Sequence, residues 1–150
     1  MLIHSDWHIH SEFSYDATLP LKEIACKAQE YGFRKIGITD HLNFNDVPFM
    51  TDLKNSAAAV KALQEEFPNV ILGVELTPIE RPEFEYIAKT GTREGYVAPE
   101  GGAPYGIELA ASKEELISLG VRYAIGAAHW RVDCAGAKLL PCDLNACIKE

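Results

Sequence analysis

Short, continuously apolar stretches alternate along this chain with longer segments whose apolar residues recur every third or fourth position. MLI opens the chain, KIGIT follows at 35–39, VILGV at 70–74 and YAIGAA at 123–128. Runs this short and this apolar read as strands covered on both faces, as in a parallel sheet. The pattern predicts strands at 1–9, 34–39, 70–74 and 122–128. Leu21, Ile24, Ala25 and Ala28 mark one face of a helix over 20–31, with Pro20 suited to its first turn and Gly32 to its C-terminal cap. Leu53, Ala57, Val60, Leu63 and Phe67 form the stripe of a second helix over 51–67, stopped by Pro68. Ser112 and Glu115 make a capping box that opens a third over 112–120, and Gly120 stops it. CDLNACIKE, 142–150, reads as the start of a further helix. Residues 77–106 break the alternation: prolines, glycines and charges mix, and the segment reads as an insertion with a hairpin around TGTREG, 90–95. Elsewhere strand follows helix and helix follows strand, which defines an α/β fold on a parallel sheet.

Composition narrows the class. The 150 residues suit one domain, 1–150, with a real core. Fourteen basic residues stand against twenty-two acidic ones, for a net charge of −8. That balance disfavours nucleic-acid binding through a broad basic surface, while leaving anionic substrates open to a site that holds cations. No apolar run approaches the ~20 residues that cross a bilayer, and the N-terminus lacks a secretory signal, so a cytoplasmic protein with no membrane partner is expected. Cys26, Cys134, Cys142 and Cys147 form no C-x-x-C pair and read as buried or idle thiols.

The chemistry lies where the strands end. The first leads into DWHIH, where Asp6, His8 and His10 alternate and would share one face of an extended strand. KIGIT leads to Asp40 and His41, VILGV to Glu75, and YAIGAA to His129. In parallel α/β folds the C-terminal strand ends form one rim, and sites assemble there. One histidine at a strand end is ordinarily structural. Four of the chain's five on a single rim, with carboxylates among them, are poor packing material and good ligands. Histidines and carboxylates without cysteine suit zinc, manganese or iron. More than four ligands imply two or three divalent ions, with Glu75 as the natural bridge, and close-set ions serve phosphoester hydrolysis.

DWHIHSEFSYD, GITDH, GVEL and IGAAH, in this order and spacing, resemble the successive motifs of the polymerase and histidinol phosphatase (PHP) family. The resemblance runs from Asp6 to His129. It implies a distorted, seven-stranded β/α barrel, here incomplete, with a site of up to three metals acting on a small phosphorylated substrate. His8, His10 and Glu75 would hold the first metal. Glu75 would bridge to a second, ligated by His129, which places Glu75 and His129 at the catalytic centre. Asp16 and His41 would hold the third. Asp6 and Asp40 would orient neighbouring imidazoles. For Asp16 the alternative duty is capping the following helix, and for Asp40 a turn.

The family's downstream ligands, a His-Pro and an Asp-x-His, have no counterpart after His129. The expectation is therefore an N-terminal piece of a longer domain; a chain complete as given would need an oligomer or partner to finish the site. Arg131 is a candidate phosphate clamp through its bidentate geometry. His4 reads as structural, Trp7 and Trp130 as core, and Lys89 and Arg93 as ordinary surface cations. The leading function is a phosphomonoesterase of a small metabolite, similar to histidinol phosphatases. The alternatives are a nucleotide-directed phosphodiesterase, an amidohydrolase-like metal hydrolase, and a metal-binding module without turnover. The amidohydrolase reading is disfavoured because Glu75, not a lysine, ends its strand.

Overall fold

The computed structural model describes residues 3–42, 47–77, 79–92, 94–97, 107–127, 131–132 and 138–139. In chain order the elements are β1 (Ser5–Ile9), α1 (Leu21–Glu30), β2 (Lys35–Ile38), β3 (His41–Leu42), α2 (Val47–Leu63), β4 (Val70–Leu76), β5 (Ile79–Glu80), α3 (Arg81–Thr90), β6 (Ile107–Glu108), α4 (Lys113–Ser118), β7 (Tyr123–Gly126), β8 (Arg131–Val132) and β9 (Lys138–Leu139). β1 lies beside β2, β2 and β3 lie in turn along β4, and β7 flanks β4 on its other side; every one of these pairings is parallel. The strands curl into a half-barrel, the incomplete β/α barrel expected.

Alternation along the strands sorts their residues onto two faces. Ile36, Ile38, Val70 and Leu72 point outward, into a core with Leu21, Ile24, Ala25 and Ala28 of α1 and with Ala57 and Val60 of α2. Val74 and Leu76 continue that face into a second cluster with Leu42, Leu53 and Ala111. Gly37, Gly73 and Glu75 therefore belong to the concave face. His41 is the register partner of Glu75 across β3 and β4, so the two share that face at the C-terminal end of the sheet.

Local chemistry sets where the elements start and stop. α1 begins after Pro20, and its first amide, Leu21 N–H, donates to the carboxylate of Glu12 in place of a local capping side chain. Gly32, at φ 74°, takes the left-handed position that ends it. The Ser112–Glu115 capping box of α4 is present in both directions: Ser112 Oγ accepts from Glu115 N–H at 3.2 Å, and Glu115 Oε2 accepts from Ser112 N–H at 2.8 Å.

Three expectations need correction. α2 starts at Val47 rather than Thr51 and ends at Leu63 rather than Phe67; Pro48 fits its first turn, where a missing N–H costs no helical bond. Among the described residues no hairpin forms around 90–95; α3 runs to Thr90 and Gly91 turns at φ 76°. The pairing in this segment is instead β5 with β6, reinforced by Arg81 and Glu108 at 2.6 Å. Finally, β1 is not evenly alternating. Asp6 faces Ile36 and Ile9 faces Ile38, so Trp7 and His8 together stand opposite Gly37, a β-bulge. The expected helix over 142–150 lies outside the described residues. No described helix is long and apolar enough to cross a membrane.

The capping box gives a pH-dependent observable. The hydrogen bonds from Ser112 hold the Glu115 carboxyl below its ordinary value. A depressed pKa means that the cap contributes above the unfolded-state value, ~4.3, and is lost as pH falls through the folded-state value. In an NMR titration, the Glu115 carboxyl carbon should show a midpoint below that of a model glutamate, and Ser112→Ala, which removes the hydroxyl but keeps the backbone N–H, should move it part of the way back toward the ordinary value. An unchanged midpoint in the variant would remove the capping box from α4.

Candidate metal centre

Three strands bring their polar ends together on the concave rim. Glu75, near the end of β4, is 2% exposed, and its Oε2 lies 2.7 Å from His8 Nε2 and 2.8 Å from His10 Nε2. The same oxygen is 3.7 Å from His41 Nδ1. The two Nε2 atoms of His8 and His10 are 3.1 Å apart. His8 sits in the β1 bulge and His10 just past the strand's end, and both imidazoles reach this one oxygen. On the far side of His10, Nδ1 meets Asp16 Oδ1 at 3.1 Å, and Asp16 Oδ2 meets His41 Nε2 at 3.2 Å. The donors thus fall into two groups that share His10: His8, His10 and Glu75, and His10, Asp16 and His41.

Electrostatics favours ionised carboxylates here. Burial pushes Glu75 up, but the hydrogen bond from His8 and the charges of His41, His8 and His10 outweigh it and hold the carboxyl below its usual range. Asp16 behaves alike: burial raises it, and the hydrogen bonds from His10 and His41 bring it down below the ordinary value.

The donor set fits a divalent cation on chemical grounds. If His8 and His10 both give an Nε2–H to the one Glu75 oxygen, neither ring nitrogen retains a lone pair for the other, and their 3.1 Å contact sets donor against donor. A cation accepts from both lone pairs and from the carboxylate at once. Ligands ~2.1 Å from a shared cation stand ~3.0–3.4 Å from each other, close to the spacing already present. Asp16 on His10 Nδ1 is also the arrangement in which a carboxylate fixes the tautomer of a ligating histidine.

The model of the PHP domain family matches residues 6–130. The chain belongs to the PHP domain family. One curated relative, the DNA polymerase III subunit alpha of Aquifex aeolicus (strain VF5), is 32% identical over 84 residues, covering 55% of this chain and 6% of that protein. This chain therefore corresponds to a small part of that relative's length. No solved structure matches the chain. The PHP domain is a family of metal-dependent phosphoesterase type whose members typically bind metals.

Within this PHP domain, the residues singled out from sequence fare differently. His8, His10, Asp16, His41 and Glu75 come together. His129 lies outside the described residues, as do Trp130 and Arg93; of Arg131 only its place in β8 is described. Asp16 does not cap α1, since Glu12 does. Asp6 is exposed, and its carboxylate accepts from the backbone N–H of His8 at 3.1 Å instead of touching an imidazole. Asp40 likewise holds backbone rather than a ring. It is 1% exposed, its Oδ1 accepts from Ser11 N–H at 2.7 Å, and its Oδ2 accepts from Ser11 Oγ at 2.8 Å and Ser56 Oγ at 2.6 Å. It ties the residue after His10 to α2, while its own carbonyl accepts from Glu75 N–H at 3.2 Å. Trp7, expected in the core, is 41% exposed, and Cys26 is exposed too.

Several contributors carry no signal in the sequence pattern. Ser14 Oγ accepts from the backbone N–H of His41 at 3.0 Å. Tyr15 stacks on the His41 ring, 4.9 Å between centroids, at the outer rim. Serines and an exposed tyrosine look like loop composition until the loop is placed against the site.

Asp40 gives a direct test of this scaffold. Asp40→Ala leaves a fully buried Ser11 amide and two hydroxyls without their acceptor, and should cost about 3 kcal/mol in urea unfolding. Asp40→Asn, which keeps one acceptor oxygen, should cost less. A loss below about 1 kcal/mol for the alanine variant would show that the buried carboxylate does not hold the loop.

Proposed function

We propose that this PHP domain is a metal-dependent phosphoesterase acting on a small phosphorylated substrate. The observation that carries the reading is the convergence of His8, His10 and His41 around one buried Glu75 oxygen. Zinc, manganese or iron would suit this set of imidazoles and carboxylates. His8, His10 and Glu75 would hold one cation; Asp16 and His41, with His10 between, would contribute to another. His129 and Arg131 remain the expected further ligand and phosphate clamp. Bound divalent cations would supply a water of lowered pKa and neutralise charge on the phosphoryl oxygens.

The chain's own residues set up that chemistry. Glu75 is kept ionised by its imidazole neighbours, so it offers negative charge across the neutral pH range. Asp16 accepts at His10 Nδ1, which leaves Nε2 of that ring directed at the shared centre. Asp40 anchors the backbone behind His10 and Glu75. Tyr15 gives the rim an exposed aromatic wall. A rim site open at the end of a half-barrel suits a phosphate group presented from solvent.

A phosphodiester substrate is a second reading, favoured by the relative that is a DNA polymerase subunit. The net charge of −8 favours a small ester over a polynucleotide.

Both readings are tested with p-nitrophenyl phosphate and bis(p-nitrophenyl) phosphate in the presence of Mn²⁺ or Zn²⁺. Hydrolysis should require the metal, disappear on chelation, and fall roughly a hundredfold or more in His8→Ala and Glu75→Gln. Preference for the monoester supports the first reading and preference for the diester the second. Stoichiometric metal with no turnover of either would make the domain a binding module. Turnover that survives chelation and His8→Ala would refute the assignment.

A further inference from the structure

Below the rim, the concave face is crossed by one side chain. Tyr123, at the start of β7, lies over Gly73 of β4 and Gly37 of β2 and donates from its hydroxyl to the backbone carbonyl of Trp7 in β1 at 2.6 Å. Its reach thus spans the described sheet from one outer strand to the other. The two glycines are what admit it. A Cβ at position 37 would stand 1.7 Å from the tyrosine hydroxyl oxygen, and one at position 73 would stand 2.5 Å from its Cζ. The Trp7 indole meets the Tyr123 ring edge-on, 5.5 Å between centroids and 84° between planes.

The carbonyl that receives this hydrogen bond belongs to the bulge. Trp7 and His8 are the two residues that stand opposite Gly37, and a bulge is a place where the ladder alone underdetermines the backbone. His8 directly follows the anchored carbonyl, and its imidazole is the most exposed of the three at the site, 48% against 17% for His10 and 1% for His41. Among the described contacts, its ring is directed only by Glu75 and His10, whereas His10 is also held by Asp16 and His41 is enclosed. Burial and the neighbouring Asp6 charge push the Tyr123 phenol up to about 12, so its proton is present to donate at neutral pH.

We propose that Tyr123 is a positioning residue for the metal centre: its hydroxyl, admitted by Gly37 and Gly73, pins the β1 bulge and thereby aims His8 at Glu75. The claim rests on the metal-binding reading of the site for one of its two readouts and is independent of it for the other. Tyr123 touches neither substrate nor donor atoms; it acts through the backbone of Trp7. The pair of glycines would then be retained to keep a path open for the phenol, and the strand pattern around them, KIGIT and VILGV, carries a second message beyond burial.

The test compares the unaltered chain with Tyr123→Phe, which keeps the ring over both glycines and removes only the donor. Gly37→Ala is the second variant, because its methyl would evict the hydroxyl by a different route. Titration with Mn²⁺ alone, at a temperature where each variant is folded, should show affinity falling roughly tenfold or more in both, the scale of losing a group that orients a ligand. In the metal-free proteins, NMR signals of the His8 imidazole should shift while those of His41 stay in place. A merely structural tyrosine would lower the unfolding temperature and leave both readouts unmoved. A folded Tyr123→Phe with unchanged Mn²⁺ affinity and unmoved His8 signals would overturn the proposal. Failure of the unaltered chain to bind Mn²⁺ would instead overturn the metal reading, and the His8 signals would then decide the positioning claim by themselves.

Discussion

Two imidazole nitrogens and one carboxylate oxygen occupy a space in which hydrogen bonding alone leaves two donors, or two acceptors, face to face. That constraint at Glu75 Oε2, with His8 Nε2 and His10 Nε2 each within 2.8 Å, organises the rest of the structure. Burying a carboxylate at 2% exposure is costly unless it is paired. The parallel register supplies the pairing, placing His41 beside Glu75 on adjacent strands, while His8 in β1 and His10 just beyond it bring the other two rings from the far side of β2. Outside the sheet, α1 and α2 cover the strands with ordinary aliphatic packing and leave the concave face to polar chemistry.

The scaffold around the centre is itself polar and buried. Ser11, Ser14, Ser56 and Asp40 are each 4% exposed or less, and among them they fix the loop after β1, the start of β3 and the inner face of α2. Such a network stabilises when every member is satisfied and is costly when one is removed. It converts small loop residues into a rigid mount for ligands that arrive from three different strands, which is the condition a preorganised metal site requires. As a member of the PHP domain family, the chain meets that condition with hydroxyls and one acid rather than with bulky packing.

Much of this was legible in the sequence, and the illegible parts share a physical reason. Strands and helices with one dominant period, such as VILGV or the Leu21–Ala28 stripe, announce themselves because burial acts on each residue locally. The convergence of His8, His10, His41 and Glu75 was legible too, since parallel strands put their C-terminal ends on one rim. By contrast, α3 was hidden: RPEFEYIAKTG carries a Pro in the first turn and Gly91 at the stop, but its proline, glycine and charges read as a loop. The bulge at Trp7 and His8 was hidden because perfect alternation predicts the same convergence by a simpler route. Asp40 was expected to orient a ring and instead holds Ser11 and Ser56, a partnership no spacing rule reveals. The fit of Tyr123 over Gly37 and Gly73 is likewise a property of three strands together and of none alone.

The most direct measurement of whether these donors hold cations is anomalous diffraction from crystals of the protein soaked in Mn²⁺ or Zn²⁺. A cation held by these donors would give a peak within ~2.0–2.3 Å of His8 Nε2, His10 Nε2 and a Glu75 oxygen together. An ordered site with no peak there, the three side chains still hydrogen-bonded to each other and metal absent or held elsewhere, would contradict cation binding at this centre.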